Sequence, residues 1–250
     1  MDAGHNGRIV NAVTWLGHAT VLIELDGTRV LTDPLLRPRV AHLVRHGETP
    51  SVPDRLDAVL VSHLHRDHAD RASLRMLTAG TDVVGPPGIT RIVKGARAVV
   101  AGDEVAIGSG VRATATPARH DGARNPFPRS PADALGFVID GTARVYFAGD
   151  TDLFDEMEQI GERGIDVALV PIWGWGPRLP AGHLDPESAA QAARLLSPRV
   201  IIPIHWGTYV RIGMPRDELD APAHEFARAV ERTAPGVQVE LLAPGETFAL

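Results

Sequence analysis

A mixed α/β fold, with two sheets packed face to face and helices outside them, is what this sequence predicts, and three observations predict it. Before Asp150 the chain is mostly short apolar or alternating segments broken by Gly, Pro and Asp, the pattern of strands. After Asp150 such segments alternate with stretches that read as helices. Of the 250 residues 44% are hydrophobic and 22% charged, the balance of a soluble globular chain with a sizeable core.

Strands are expected at 9–16, 20–25 and 28–31, the last two joined across Asp26-Gly27, a dipeptide suited to a tight hairpin turn. The run 57–62 is too short for a typical helix and ends at a cluster of histidines, so it reads as a buried strand. A helix over 70–77 follows, with Asp70 able to cap it. Short strands are expected near 82–84, 98–101, 104–107 and 111–116, and a second hairpin at 136–140 and 143–147 across Gly141-Thr142. Beyond it come a helix near 153–161, a strand at 166–171, a helix at 185–196, a strand at 200–204, a helix at 218–233 and a strand at 237–242. Asp185 before Pro186 is a good helix start, an acidic cap ahead of proline at the first helical position. No linker, solenoid-period repeat or low-complexity segment divides the chain, so residues 1–250 are expected to form one domain.

With 25 Lys+Arg against 31 Asp+Glu the net charge is −6, which disfavours a general binder of nucleic acid or anionic membranes. The absence of cysteine excludes disulfides, thiolate-held zinc and a thiol nucleophile, so any metal must be held by His and carboxylates. The N-terminal residues are polar, without the apolar run of a signal peptide, and no apolar stretch is long enough to span a bilayer. A cytoplasmic location is expected.

The decisive stretch is His63-Leu64-His65-Arg66-Asp67-His68, directly after the strand at 57–62. In extended backbone His63 and His65 point to the same side and can grip one ion, while the turning chain offers Asp67 and His68 to a second. Burying so many imidazoles and a carboxylate together would be costly without a cation. Further donors stand at the ends of three later strands: His120, Asp150 and His205. Each alone reads as a surface histidine, a helix cap or a core histidine; their repeated position after a strand points to one converging site.

Together these motifs resemble the metallo-β-lactamase-fold hydrolases, whose signature is His-x-His-x-Asp-His followed by a lone His, an Asp and a last His. Trp15-Leu-Gly-His-Ala-Thr20 and Leu31-Thr-Asp-Pro34 extend the resemblance to the branch of ascorbate-6-phosphate lactonase and N-acylphosphatidylethanolamine-hydrolysing phospholipase D. The resemblance implies a four-layer αββα sandwich. It implies that His63, His65 and His120 bind a first metal, that Asp67, His68 and His205 bind a second, and that Asp150 bridges them. Zinc suits His and carboxylate donors and leaves a position open for water, with Mn2+ or Fe2+ as alternatives. Asp33 is implied to support the metal-binding loop from behind, against the plain reading of a turn-forming Asp-Pro.

The expected function is a dinuclear hydrolase that turns a metal-activated hydroxide on a small or lipid-like phosphodiester, phosphoester or lactone. Asp150 and Asp67 are its expected catalytic carboxylates, and His183, ahead of Asp185-Pro186, could protonate the leaving group. The branch resemblance implies that His18 and His183 lie close to the metals, to orient substrate or protonate a leaving group, against the plain reading of structural histidines. Trp173 and Trp175 are candidate walls of a substrate pocket, with core packing as the plainer reading. Segment 35–46 reads as a surface excursion, with a phosphate-recognising lid or a membrane-touching edge as the sharper alternatives. His5, His42, His46 and His224 are expected at the surface. A non-catalytic metal-binding protein on the same fold and, less in keeping with the charge, a nuclease are the competing readings. The substrate, the metal and the oligomeric state, a homo-oligomer included, are left open.

Overall fold

The computed structural model describes residues 11–77, 80–124, 133–174, 179–213 and 219–250. Strand alternation splits the first sheet's side chains cleanly. Val13, Trp15, Val21 and Ile23 face one way and Leu22 and Leu31 the other, as the two-residue period of a strand requires. Leu25 and Thr28 pair across Asp26-Gly27, both of which take positive φ (52° and 80°), the geometry of the tight hairpin read from sequence. The hairpin across Gly141-Thr142 belongs to the other sheet, and the Asp26 carboxylate accepts the Thr142 N–H (2.7 Å), tying the two turns together.

Among the described residues the first sheet runs in the order Thr247–Ala249, Ala12–Gly17, Thr20–Leu25, Thr28–Thr32, Ala58–Leu60, Asp82–Gly85, Arg97–Ala98. The second runs Gln238–Val239, Val200–Ile204, Val167–Pro171, Arg144–Phe147, Ala134–Asp140, Val111–Ala118, Glu104–Ile107. The helices are α1 (Arg71–Met76), α2 (Met157–Gly161), α3 (Pro186–Leu196) and α4 (Ala221–Thr233). Inner faces of both sheets meet in one apolar core, where Trp15, Val21 and Ile23 join Phe137, Ile139, Leu169 and Ile202. Behind the second sheet, Tyr146, Ala168 and Ile201 pack on Met157, Ala189 and Phe226 of α2, α3 and α4. Behind the first, Leu31 and Val59 pack on Leu74 of α1. The four αββα layers expected from the sequence are therefore present.

Thr28–Thr32 runs parallel to Ala58–Leu60, and Arg144–Phe147, Val167–Pro171 and Val200–Ile204 run parallel to one another. Their carboxyl ends therefore open on one edge of each sheet, and the loops that leave them carry Asp33, the His63 segment, Asp150, Trp173 and His205.

Several elements differ from expectation. Segment 35–46 is only in part a solvated excursion: Arg39, Ala41, His42 and His46 are exposed, but Leu35, Leu36, Val40 and Leu43 are buried. Arg39–Val40 and Leu43–Arg45 form a small third sheet with Tyr209–Arg211. Its pairing partner lies 164 residues away in sequence, beyond the reach of a local pattern. The helix expected near 153–161 starts only at Met157; the residues before it form tighter turns, the Met157 N–H donating to Phe154 O (3.2 Å) and the Glu158 N–H to Asp155 O (3.1 Å). Thr247–Ala249, unforeseen, completes the first sheet's edge beside Ala12–Gly17. No helix among the described residues is long and apolar enough to cross a membrane.

Candidate metal centre

The strand Ala58–Leu60 delivers Ser62 beside the turn at Asp33, and the two loops are laced together. Asp33 Oδ1 accepts the Ser62 N–H (2.7 Å), and Oδ2 accepts both the Ser62 hydroxyl (2.5 Å) and His68 Nδ1–H (2.8 Å). A carboxylate only accepts, so His68 must carry its proton on Nδ1 and turn the Nε2 lone pair inward. With its hydroxyl proton committed to Asp33, Ser62 Oγ accepts His63 Nδ1–H (2.9 Å), leaving His63 Nε2 as a second inward lone pair.

Backbone carbonyls orient the other imidazoles in the same way. His205 Nδ1–H donates to Trp173 O (2.7 Å), His120 Nδ1–H to Gly182 O (2.8 Å) and His183 Nδ1–H to Pro180 O (3.1 Å). A second group that fixes the outer nitrogen and so selects the inner tautomer is the usual partner of a metal-binding histidine. The inner nitrogens then face one another: His68 Nε2 and His205 Nε2 are 3.2 Å apart, as are His120 Nε2 and His65 Nδ1. Donors about 2.0–2.1 Å from a shared tetrahedral ion stand roughly 3.3 Å from each other.

Asp150 sits in the middle, with carboxylate oxygens 3.2 Å from His68 Nε2, 3.3 Å from His205 Nε2, 3.5 Å from His183 Nε2 and 3.9 Å from His63 Nε2. It can approach so closely because Gly149 precedes it at φ 62°, where a Cβ would lie 2.6 Å from Ser62 Cβ. His63 Nε2 and Asp150 Oδ1 are buried without a hydrogen-bond partner among the described residues. Orphaned acceptors of this kind are costly unless a cation meets them. Among the described residues, groups able to hold an ion include His63, His65 and His120; His18, Asp67, His68 and His205; and His120, Asp150 and His183. Asp33 also lies within reach of His63 and His68, but its oxygens already serve Ser62 and His68 N–H, so it stands behind the donors.

Electrostatics favour the protonation states that a metal needs at His65, His205, Asp67 and Asp150, whereas His68 holds a proton that a cation would displace from Nε2. Burial lowers His65 to about 4, helped by His120, and burial lowers His205 to about 3. Burial alone would raise the Asp150 carboxyl, yet His205 and His68 hold it well below the usual carboxylate range. Burial likewise opposes the charge on Asp67, and His68 and His18 hold it ionised. Burial opposes a charge on His68, but Asp150 and Asp67 raise it well above the ordinary histidine value. The cluster thus calls for positive charge, which a divalent cation supplies.

The sequence-predicted residues His18, Asp33, His63, His65, Asp67, His68, His120, Asp150, His183 and His205 are brought together here. Trp173 is half-buried, packs toward the helical layer and contributes its carbonyl. Trp175 lies outside the described residues, as does His5; His42, His46 and His224 are exposed. Sequence reasoning missed Ser62, whose signal is its position immediately before the histidine motif. It also missed the carbonyls of Trp173, Pro180 and Gly182, for which no side-chain signal exists.

A β-lactamase superfamily domain model matches residues 28–206. A UPF0173 metal-dependent hydrolase of Methanopyrus kandleri is 36% identical over 247 residues, covering 94% of this chain and 98% of that protein. The N-acyl-phosphatidylethanolamine-hydrolyzing phospholipase D 1 of Caenorhabditis elegans is 31% identical over 227 residues, 78% of this chain and 64% of its own length. Among solved structures, a metallo hydrolase of the hyperthermophilic archaeon Ignicoccus hospitalis superposes with a TM-score of 0.72 at 26% identity, covering 96% of this chain and 98% of that one.

Proposed function

The chain belongs to the metallo-β-lactamase-fold, UPF0173 family of metal-dependent hydrolases, and from that membership we propose a dinuclear hydrolase of small or lipid-like phosphodiesters, phosphoesters or lactones. The observation that carries the two-ion reading is the set of imidazoles whose N–H groups all point outward, leaving lone pairs on either side of one carboxylate. His63, His65 and His120 would hold the first ion, Asp67, His68 and His205 the second, and Asp150 both. Zinc is the proposed metal, since neutral imidazole and carboxylate oxygen are its common donors. When bound, the ions supply Lewis acidity and make water acidic enough to act near neutral pH.

The chain's own residues define the rest. His18, His68 and His205 are sealed from solvent, whereas His65, His120 and His183 are only half-buried, so substrate approaches along the latter three. His183 is the proposed general acid. Burial opposes its charge, but the Asp150 carboxylate 3.5 Å away raises it above the ordinary histidine value, so that Nε2 can carry a proton toward a leaving oxygen. Asp67 and Asp150, both held ionised, balance the charge of the centre through the reaction. The lipid-like alternative is supported by the 31% identity to the phospholipase D named above. Residues 1–250 are proposed to form one hydrolase domain working in the cytoplasm on a small or lipid-like molecule.

The test is metal analysis of the purified protein beside hydrolysis of an aryl phosphodiester, an aryl phosphomonoester and a simple lactone. Two ions per chain and turnover that falls at least about 100-fold in Asp150→Asn are expected, the scale of one lost electrostatic contact at such a site. Protein purified under metal-replete conditions without bound metal would refute the centre. Two ions without turnover on a broad panel would favour a binding protein on the same fold.

A further inference from the structure

We propose that His18 is a ligand of the second ion, so that the sealed half of the centre grips its metal with more donors than the open half. The inference rests on the dinuclear reading above.

His18 stands apart from the other donors in the chain. It lies in the turn between Ala12–Gly17 and Thr20–Leu25, not at the end of a parallel strand. The turn is built to aim its ring. His18 takes φ 56°, a left-handed conformation uncommon for a residue with a side chain, and such strain persists only where the surroundings enforce it. Its N–H donates to Thr208 Oγ1 (3.0 Å), while its carbonyl accepts the His205 N–H (2.9 Å) and Trp15 Nε1–H (2.9 Å). Gly17 before it has φ 103°, and a Cβ there would lie 2.7 Å from both Arg45 Nη2 and Thr208 Cγ2. The backbone of His18 is thus bonded directly to that of a proposed ligand, His205.

The ring is 2% exposed, with its centroid 4.0 Å from that of His205 and 5.2 Å from that of His68. Its Nε2 lies 3.3 Å from Asp67 Oδ2, and a ligating atom of His18 lies within 4.8 Å of those of Asp67, His68 and His205. A charge-assisted N–H···O bond to a carboxylate typically closes to about 2.7–2.9 Å. A separation of 3.3 Å is instead what two ligands of one ion show, since bonds of about 2.0–2.1 Å in tetrahedral array place them roughly that far apart. Three imidazoles with Asp67 and Asp150 then face the second ion, against three imidazoles with Asp150 at the first, where His65 and His120 are half open to solvent. The second ion should bind more tightly and exchange more slowly than the first.

The test is titration of chelator-stripped wild type, His18→Gly and His18→Gln with Co2+, followed by visible absorption and by calorimetry. Glycine accepts the positive φ, and glutamine keeps a hydrogen-bond donor near the position of Nε2, so folding and positioning are each controlled. Wild type should bind two ions with distinct affinities. Both variants should lose about 100-fold or more at the tighter site and keep the weaker one, more than the tenfold to 100-fold typical of losing a supporting partner. His18→Gln that binds within about tenfold of wild type at both sites would show a mere hydrogen bond to Asp67 and overturn the proposal. A wild type that binds only one ion overturns the dinuclear reading itself, and this inference with it, before any substitution is made.

Discussion

Asp33 shows how much one side chain organises. Its two oxygens take three N–H or O–H donors from Ser62 and His68, joining the turn after Thr28–Thr32 to the histidine motif. Asp33→Asn replaces one acceptor oxygen by an N–H donor and so opposes the His68 tautomer. Metal affinity should fall by about tenfold to 100-fold with the fold retained, and a calorimetric titration that matches wild type would refute this role. Gly149→Ala acts through space instead. At φ 62°, 2.6 Å from Ser62 Cβ and 2.8 Å from Leu135 O, the added methyl cannot fit without displacing the Gly149–Asp150 turn or Ser62 beside His63. A loss of about 1–3 kcal/mol in denaturant melts, together with reduced metal content, is expected. The histidines and aspartates that gather in the cluster were legible in the sequence because their chemistry is in their side chains. The carbonyls of Trp173, Gly182 and Pro180 were not, because every residue has one and only the fold decides which faces an imidazole.

At the scale of elements, local signals served well where the determinant is local. Asp185 caps α3, accepting from the Ser188 N–H (2.8 Å), and the Ser188 hydroxyl answers to the Asp185 N–H (2.9 Å), as Asp-Pro implied. Asp185→Ala should destabilise the protein by about 1 kcal/mol, read in chemical denaturation. The Asp26-Gly27 turn carries a pH-dependent tie. Hydrogen bonds from the side chain and backbone of Thr142 lower the Asp26 carboxyl below its ordinary 3.8. A depressed folded-state value means that stability is present above the unfolded value and lost as pH falls through the folded one. Asp26→Asn, which keeps the turn, should therefore melt below wild type at pH 7, with the difference closing below about pH 4. Where pairing was distant, sequence reading failed: nothing near 35–46 announces its partner at Tyr209–Arg211.

For the whole molecule, the buried imidazoles and carboxylates sit between the two sheets' carboxyl edges, so metal held there would act as a clasp across the sandwich. A ligand that binds only the folded state stabilises by mass action, about 4 kcal/mol at 1,000 times its dissociation constant. Chelation should therefore lower Tm, and restoring the metal should recover it; an unchanged Tm in protein shown to be stripped would deny the clasp. Acidification should weaken metal binding as well, since protons compete for the same lone pairs.

The sequence by itself determined the layer order, the hairpin turns, the capped helix at Asp185 and which histidines and aspartates gather in the buried cluster. These rest on hydrophobic period, turn chemistry and side-chain type, all of which are written locally. Only the tertiary structure decided that His18 stands among the residues of the second cluster, that Ser62 locks two loops, and that 35–46 anchors buried leucines and a small sheet. Those depend on residues far apart in the chain, on positive φ held by neighbours at His18, Asp33 and His205, and on which backbone groups are left to face inward once the two sheets close.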